Sequence, residues 1–231
     1  NDNYMKHWNE KVGFFGQFEC INDENVAKAL LDAAEAWLKA QGMQRIRGPQ
    51  NLPYNEATPG FMVEGFDSQP VMYYAYNKPY YAEMVSNLNY KQVKRVKSFQ
   101  YEVSTPMPEK LDRLAGKLIK RYGIKLEHWG DRPLKVRKDE MREIYNDAWG
   151  TNWGFVPFEK DEFDRIVDDM QLIMNKNLFV FCYIKDEPIA FLGCVPNCSE
   201  VMTPIPGLKR FELARALKLV LQAQKTRGIR L

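Results

Sequence analysis

An α/β chain with a mixed, twisted sheet is what this sequence predicts, and three observations carry that prediction. A short aromatic strand, an amphipathic helix and a second strand follow one another closely near the N-terminus. A helix set between prolines and a glycine divides the chain near its middle. Two helices, then two apolar runs joined by a compact polar turn, fill the second half. Strand, helix, strand with short connections implies parallel pairing through a right-handed crossover, whereas the later apolar runs imply an antiparallel hairpin.

Residues 11–19, with Val12, Phe14, Phe15 and Phe18, read as a buried strand. Asn22 or Asp23 caps the helix that follows. Val26, Leu30, Ala33, Trp37 and Leu38 recur at the spacing of one helical face, and Gly42 ends it. Residues 44–48 form a second strand, and residues 49–70, rich in Pro, Gly and Asn, form a long excursion suited to a pocket edge. Tyr73, Tyr74, Tyr76, Tyr80 and Tyr81 cluster around Asn77-Lys78-Pro79, and Pro79 opens a short helix that ends near Asn87. Alternation of basic with aromatic and β-branched residues predicts strands over 90–96 and 98–103. Past Pro106 and Pro108, Leu111, Leu114, Leu118 and Ile119 predict a helix that stops at Gly123. Strands over 125–129 and 134–137, helices over 139–149 and 159–174, and a hairpin of 178–184 with 188–195 around Lys185-Asp186-Glu187 come next. A helix over 209–224 leads into a final strand.

Composition excludes several classes. With 33 basic and 30 acidic residues among 231, the formal charge is +3, which does not make nucleic acid the default partner. No apolar run reaches the roughly 18 residues of a membrane span, and the first residues lack a signal-peptide layout, so a cytoplasmic protein is expected. Cys20, Cys182, Cys194 and Cys198 are too sparse for a disulfide framework and lack zinc-knuckle spacing. His7 and His128 sit in no metal-ligand pattern, so no metal is expected. The chain begins without methionine and stops at Ile229-Arg230-Leu231 as an apolar alternation starts, which reads as a cut from a longer chain.

The run Asn22-Asp23-Glu24-Asn25-Val26-Ala27, with 29–37 and Gly42 behind it, resembles the fourth strand and third helix of the GNAT acyltransferase superfamily. Residues 77–84 with Asn89-Tyr90 resemble that fold's final helix and closing strands. Residues 144–157 are similar to a run in bacterial GNAT-like chains that carry two tandem modules. The resemblance implies two partial modules in tandem: the C-terminal half of a first over 1–105, a linker over 106–131, and the N-terminal half of a second over 132–231.

On that resemblance the cosubstrate is acetyl-CoA or another acyl-CoA, held at the start of the third helix, and the acceptor is an amine or other small molecule. Asn22, Asn25 and Ala27 stand at the positions of the pyrophosphate loop, with Cys20 and Asn77 beside them. Asp23 and Glu24 would repel a pyrophosphate and also suit a plain helix cap. Glu19 stands where some members carry a base. The general-acid tyrosine position falls on Val85, with Tyr80 and Tyr81 a turn away. Trp149, Asn152, Trp153 and Phe155 either cover the acceptor or pack a core.

The implied activity is N-acyl transfer from acyl-CoA to an amine, with the first module as support. A non-catalytic binding or scaffold protein that keeps the fold is the rival. Tyr90, Lys91, Lys94, Arg95, Lys97, Phe99 and Tyr101 interleave base and aromatic as single-stranded nucleic-acid binders do, or else form a strand face with lysines outward. The helix with Lys209, Arg210, Leu213, Arg215, Leu217, Lys218 and Leu221 either lies on a membrane or packs as an ordinary amphipathic helix.

Overall fold

The computed structural model describes residues 1–231 other than Pro53, Glu56, 203–211 and Leu231, and leaves undescribed the side chains of Glu212, Leu213 and Arg215. Lys209 and Arg210, and the side chains of Leu213 and Arg215, therefore lie outside what is described. The chain divides into two compact units: Asn1–Arg95 with Thr151–Pro157, and Val96–Gly150 with Phe158–Leu231.

The first unit opens with helix α1 (Asp2–Trp8). Asn1 caps it, its side chain accepting the Tyr4 N–H at 3.0 Å, and Tyr4 is buried. Strand β1 (Val12–Phe14) is shorter than the predicted 11–19, and pairs in parallel with β2 (Arg45–Arg47), Gly13 opposite Ile46. Gly13 abuts the Leu38 side chain so closely that an added Cβ would lie 2.3 Å from it. The connection is helix α2 (Glu24–Ala40), as expected, but the buried face is Ala27, Leu31 and Leu38. Val26, Leu30 and Trp37 of the expected face are exposed, because α2 carries two adjacent apolar stripes and only one meets the unit's interior. A short helix α3 (Tyr81–Asn87) buries Tyr81, Met84 and Val85 against α2 and the Phe18, Phe61 and Leu88 rings and chains. Residues 151–157 complete this unit: Val156 packs with Tyr4 and Val12, Trp8 Nε1 donates to the Phe155 carbonyl at 2.7 Å, and Asn55 exchanges two hydrogen bonds with Val156.

The second unit begins with residues the sequence reading made strands. Over 96–103 there is no strand, and none over 90–95 in the first unit. Helix α4 (Glu109–Tyr122) follows and stops as predicted at Gly123, whose φ of 63° allows its N–H to reach the Ile119 carbonyl. Strand β3 (Lys125–His128) and a 3₁₀ turn lead to helix α5 (Leu134–Trp149). The predicted strand over 134–137 is thus the first turn of α5, opened by Pro133. Helix α6 (Lys160–Met170) precedes strands β4 (Phe179–Ile184) and β5 (Glu187–Gly193), an antiparallel hairpin as expected. Its two-residue turn, Lys185-Asp186, has φ of 51° and 63°, the geometry that matches strand twist. β3 pairs antiparallel with β4, giving a three-stranded sheet in the order β3-β4-β5. Phe179, Phe181 and Tyr183 alternate to its buried face, each contributing about 1.5–3 kcal/mol of burial. A two-residue strand β6 (Val195–Pro196), helix α7 (Glu212–Gln222) and strand β7 (Ile229–Arg230) end the described chain, β6 and β7 pairing antiparallel.

Among the described residues the architecture is mixed α/β with three small sheets rather than one continuous twisted sheet. No helix is long and apolar enough to cross a membrane among the described residues.

Candidate functional site

Glu19, Cys20, Tyr80 and Tyr81 meet between the loop that joins β1 to α2 and the start of α3. The Tyr81 hydroxyl donates to Glu19 Oε2 at 2.8 Å and accepts the Cys20 N–H at 3.0 Å, while the Tyr80 hydroxyl donates to the Cys20 carbonyl at 2.8 Å. Glu19 is exposed and Tyr81 is buried. Burial above all, with the Glu19 carboxylate adding, raises the Tyr81 phenol above its ordinary pKa, while the Cys20 N–H opposes this. Both tyrosines therefore act as pins for the loop before α2. Burial first, then the nearby Asp23 charge, pushes the Cys20 thiol up, which disfavours a thiolate there. All four cysteines are free thiols. Val85, where the GNAT resemblance expects a general-acid tyrosine, lies in the core with Phe15 and Leu31.

At the start of α2, Asp23 is the cap and its carboxylate accepts the Asn25 N–H at 2.8 Å. Glu24 accepts from the Asn87 side chain at 2.6 Å. Asn22 and Asn25 are exposed, and Ala27 is fully buried. A CoA pyrophosphate does not fit this helix start: a carboxylate already takes a backbone donor it would need, and a second is held beside it. Asn77 is occupied too, its side chain accepting the Met62 N–H at 2.7 Å and donating to the Met62 and Lys78 carbonyls. It fixes the long excursion after β2.

The C-terminal ends of β1 and β2, where open α/β sheets commonly take ligands, are held closed. Phe15 N–H donates to the Arg47 carbonyl and Gln50 N–H to the Phe15 carbonyl, and a Cβ on Gly16 would lie 2.2 Å from the Gln50 oxygen. A hollow of about 510 Å³ lies instead at the strands' N-terminal ends, lined by Asn9, Glu10, Gln44 and Arg45 among others, and contains none of the predicted site residues.

The four acceptor-side candidates are divided between the units. Trp149 stacks on Tyr145 in the second, ring centroids 5.5 Å apart and 6° from parallel. Asn152, Trp153 and Phe155 belong to the first. There Phe155 is buried, and Arg47 lies over the Trp153 ring at 5.0 Å while it also donates to the Tyr4 hydroxyl and pairs with Glu10. Tyr90 is part of the first unit's apolar cluster and donates to Glu35 at 2.6 Å, so it does not stand as a free base-stacking platform.

Sequence reasoning missed a buried charge network in the second unit. Arg137 is fully buried. It donates to Glu140 Oε2 at 3.0 Å, Glu127 Oε2 at 3.1 Å, the His128 and Trp129 carbonyls, and the Tyr183 hydroxyl. Tyr183 in turn donates to Glu140 at 2.6 Å, and Arg132 pairs with both Glu127 and Glu140. Arg137 also lies over the Phe181 ring at 4.1 Å. The signal was the helical spacing Arg137, Glu140, Met141, hidden by the assumption that buried positions are apolar. Among the described residues no group of three or more His, Cys, Asp or Glu side chains is placed to hold a metal ion.

The chain is 30% identical to Protein YghO of Escherichia coli (strain K12) over 205 residues, covering 88% of this chain and 52% of that protein. It is 28% identical to the Bacterial ceramide synthase of Caulobacter vibrioides over 198 residues, covering 84% of this chain and 50% of that protein. The chain spans about half the length of the curated relatives it matches. No known family profile and no solved structure matches it.

Proposed function

We propose that the protein containing this chain is an N-acyltransferase of GNAT type that joins an acyl group from an acyl-CoA to the amine of a long-chain, lipid-like acceptor. The observation that carries the reading is the similarity over 84% of the chain to a protein named for ceramide synthesis. A ceramide is a fatty amide, so its formation joins an acyl carbonyl to a long-chain amine. The two helices and antiparallel hairpin over 134–193 also support it, as the GNAT resemblance expects of a second module, although the strand before them is β3, in the expected linker, and not 134–137.

In this reading the start of α2 does not hold the cosubstrate, and what the first unit contributes is a base. The capped, acidic start of α2 favours that division, because it is occupied by the chain's own carboxylates. Glu19 is an exposed carboxylate held in place by the buried Tyr81 hydroxyl, and it is the base we assign to the acceptor ammonium.

The test incubates the full-length protein with acyl-CoAs of several lengths and either a sphingoid or a short amine. It follows thiol release and the amide product by mass spectrometry. Amide formation on the long-chain amine is expected. Glu19→Gln keeps an oxygen for the Tyr81 hydroxyl but cannot take a proton, so kcat should fall about 10² or more and recover as pH rises and the free amine accumulates. No thiol release with any pair sinks the acyl-transfer reading, and an unchanged Glu19→Gln profile removes Glu19 from it.

A further inference from the structure

Helix α4 has no buried residue, yet it is strongly amphipathic. Leu111, Leu114, Leu118, Ile119 and Tyr122 are each at least 39% exposed. At about 100° per residue they share one arc of roughly 140° with Ala115. Arg121, Lys110, Lys117, Arg113 and Lys120 run along one edge of that arc, while Asp112 and Glu109 fall beyond the other. The chain leading into the helix has the same character, with Phe99 89% exposed and Val103 and Met107 exposed after it. Residues 96–122 hold six basic and three acidic side chains, a net +3, as large as the formal charge of the whole chain.

Three occupants compete for such a face. A second copy would bring a face of the same positive charge against it. A nucleic acid would neutralise the basic edge but would gain nothing from desolvating four aliphatic side chains. An anionic bilayer satisfies both parts: the aliphatic arc enters the boundary of the acyl chains, and the lysine and arginine stems reach out to the phosphates. We infer that α4 is an interfacial anchor that lays the chain on an anionic lipid surface. The inference stands on α4 and the residues leading into it and is independent of the acyl-transfer reading.

Flotation of the chain with pure phosphatidylcholine vesicles, and with equimolar phosphatidylcholine and phosphatidylglycerol, tests it. Partitioning onto the anionic vesicles should exceed that onto neutral ones about tenfold or more and should weaken at high salt. Two double variants, Leu114→Glu with Leu118→Glu and Lys117→Glu with Lys120→Glu, change only exposed side chains, so circular dichroism should be unchanged. Each should lower flotation about tenfold. Flotation with neither vesicle overturns the inference, as does wild-type flotation by both variants. A dimer in sedimentation that the leucine variant dissolves, or retardation of an oligonucleotide, without flotation in either case, overturns it equally.

Discussion

Arg137 shows how a single side chain can set the terms for its neighbours. It is buried from water, so its charge is sustained by Glu140, Glu127, two carbonyls and Tyr183 together. Hydrogen bonds from Arg132 hold the Glu127 carboxyl well below its ordinary pKa of 4.5, at about 2, with Lys125 assisting and burial opposing. The sign follows from linkage. Between those two values the unfolded chain binds a proton that the folded chain refuses, so stability falls as pH drops through the window from about 4.5 to about 2. Denaturant midpoints of wild type and Glu127→Gln across that window should show a difference in pH dependence on the order of 2–3 kcal/mol. Equal slopes would mean that Glu127 is not coupled to folding. Arg137→Ala, which strands Glu140 and Tyr183 in the interior, should cost about 3–5 kcal/mol near neutral pH.

At the scale of elements, α2 offers the cleanest reading of cap chemistry. Asp23 has extended backbone and its carboxylate takes the Asn25 N–H. Asp23→Ala should lower stability by about 1 kcal/mol in thermal unfolding, whereas Asp23→Ser should restore most of it, since serine also caps. A loss shared by both variants would point to the charge rather than the hydrogen bond. The elements legible in the sequence were those whose signals are local: the cap and Gly42 around α2, the proline and Gly123 around α4, the polar turn of the hairpin. Strands over 90–103 were not, because alternation of Lys with Val and Tyr describes a strand only when a partner supplies the ladder, and none does among the described residues. Leu134 to Arg137 misled in the opposite way. Leu134 and Val136 are exposed while Arg137, Glu140 and Met141 are buried, so the helical period was present but written in charged residues. Among the candidate site residues, Glu19 and Cys20 meet Tyr81 and Tyr80 through hydrogen bonds that no local spacing announces, whereas Asn77 and Val85 are spent on loop and core.

The chain as a whole passes between its units three times, at residues 95–96, 150–151 and 157–158. The short excursion of 151–157 is what gives the first unit its Val156 core contact, its Trp8 hydrogen bond and its reciprocal pair with Asn55. A cut between the units at the first crossing should therefore not part the fragments, because the C-terminal piece carries seven residues that fold into the N-terminal piece. Residues 97–106 are exposed and contain Phe99 and Tyr101, which makes them a target for chymotrypsin. Limited digestion should nick the chain there and leave both fragments eluting together in gel filtration under native conditions. Combining Trp8→Phe with Asn55→Ala removes three of the hydrogen bonds that hold the excursion but leaves α5 and α6 intact, so the nicked variant should separate where the nicked wild type does not. Separation of the nicked wild type would show that 151–157 contributes too little to hold the first unit closed. Intact co-elution of the variant would assign the hold to apolar packing of Val156 against Tyr4 and Val12 instead.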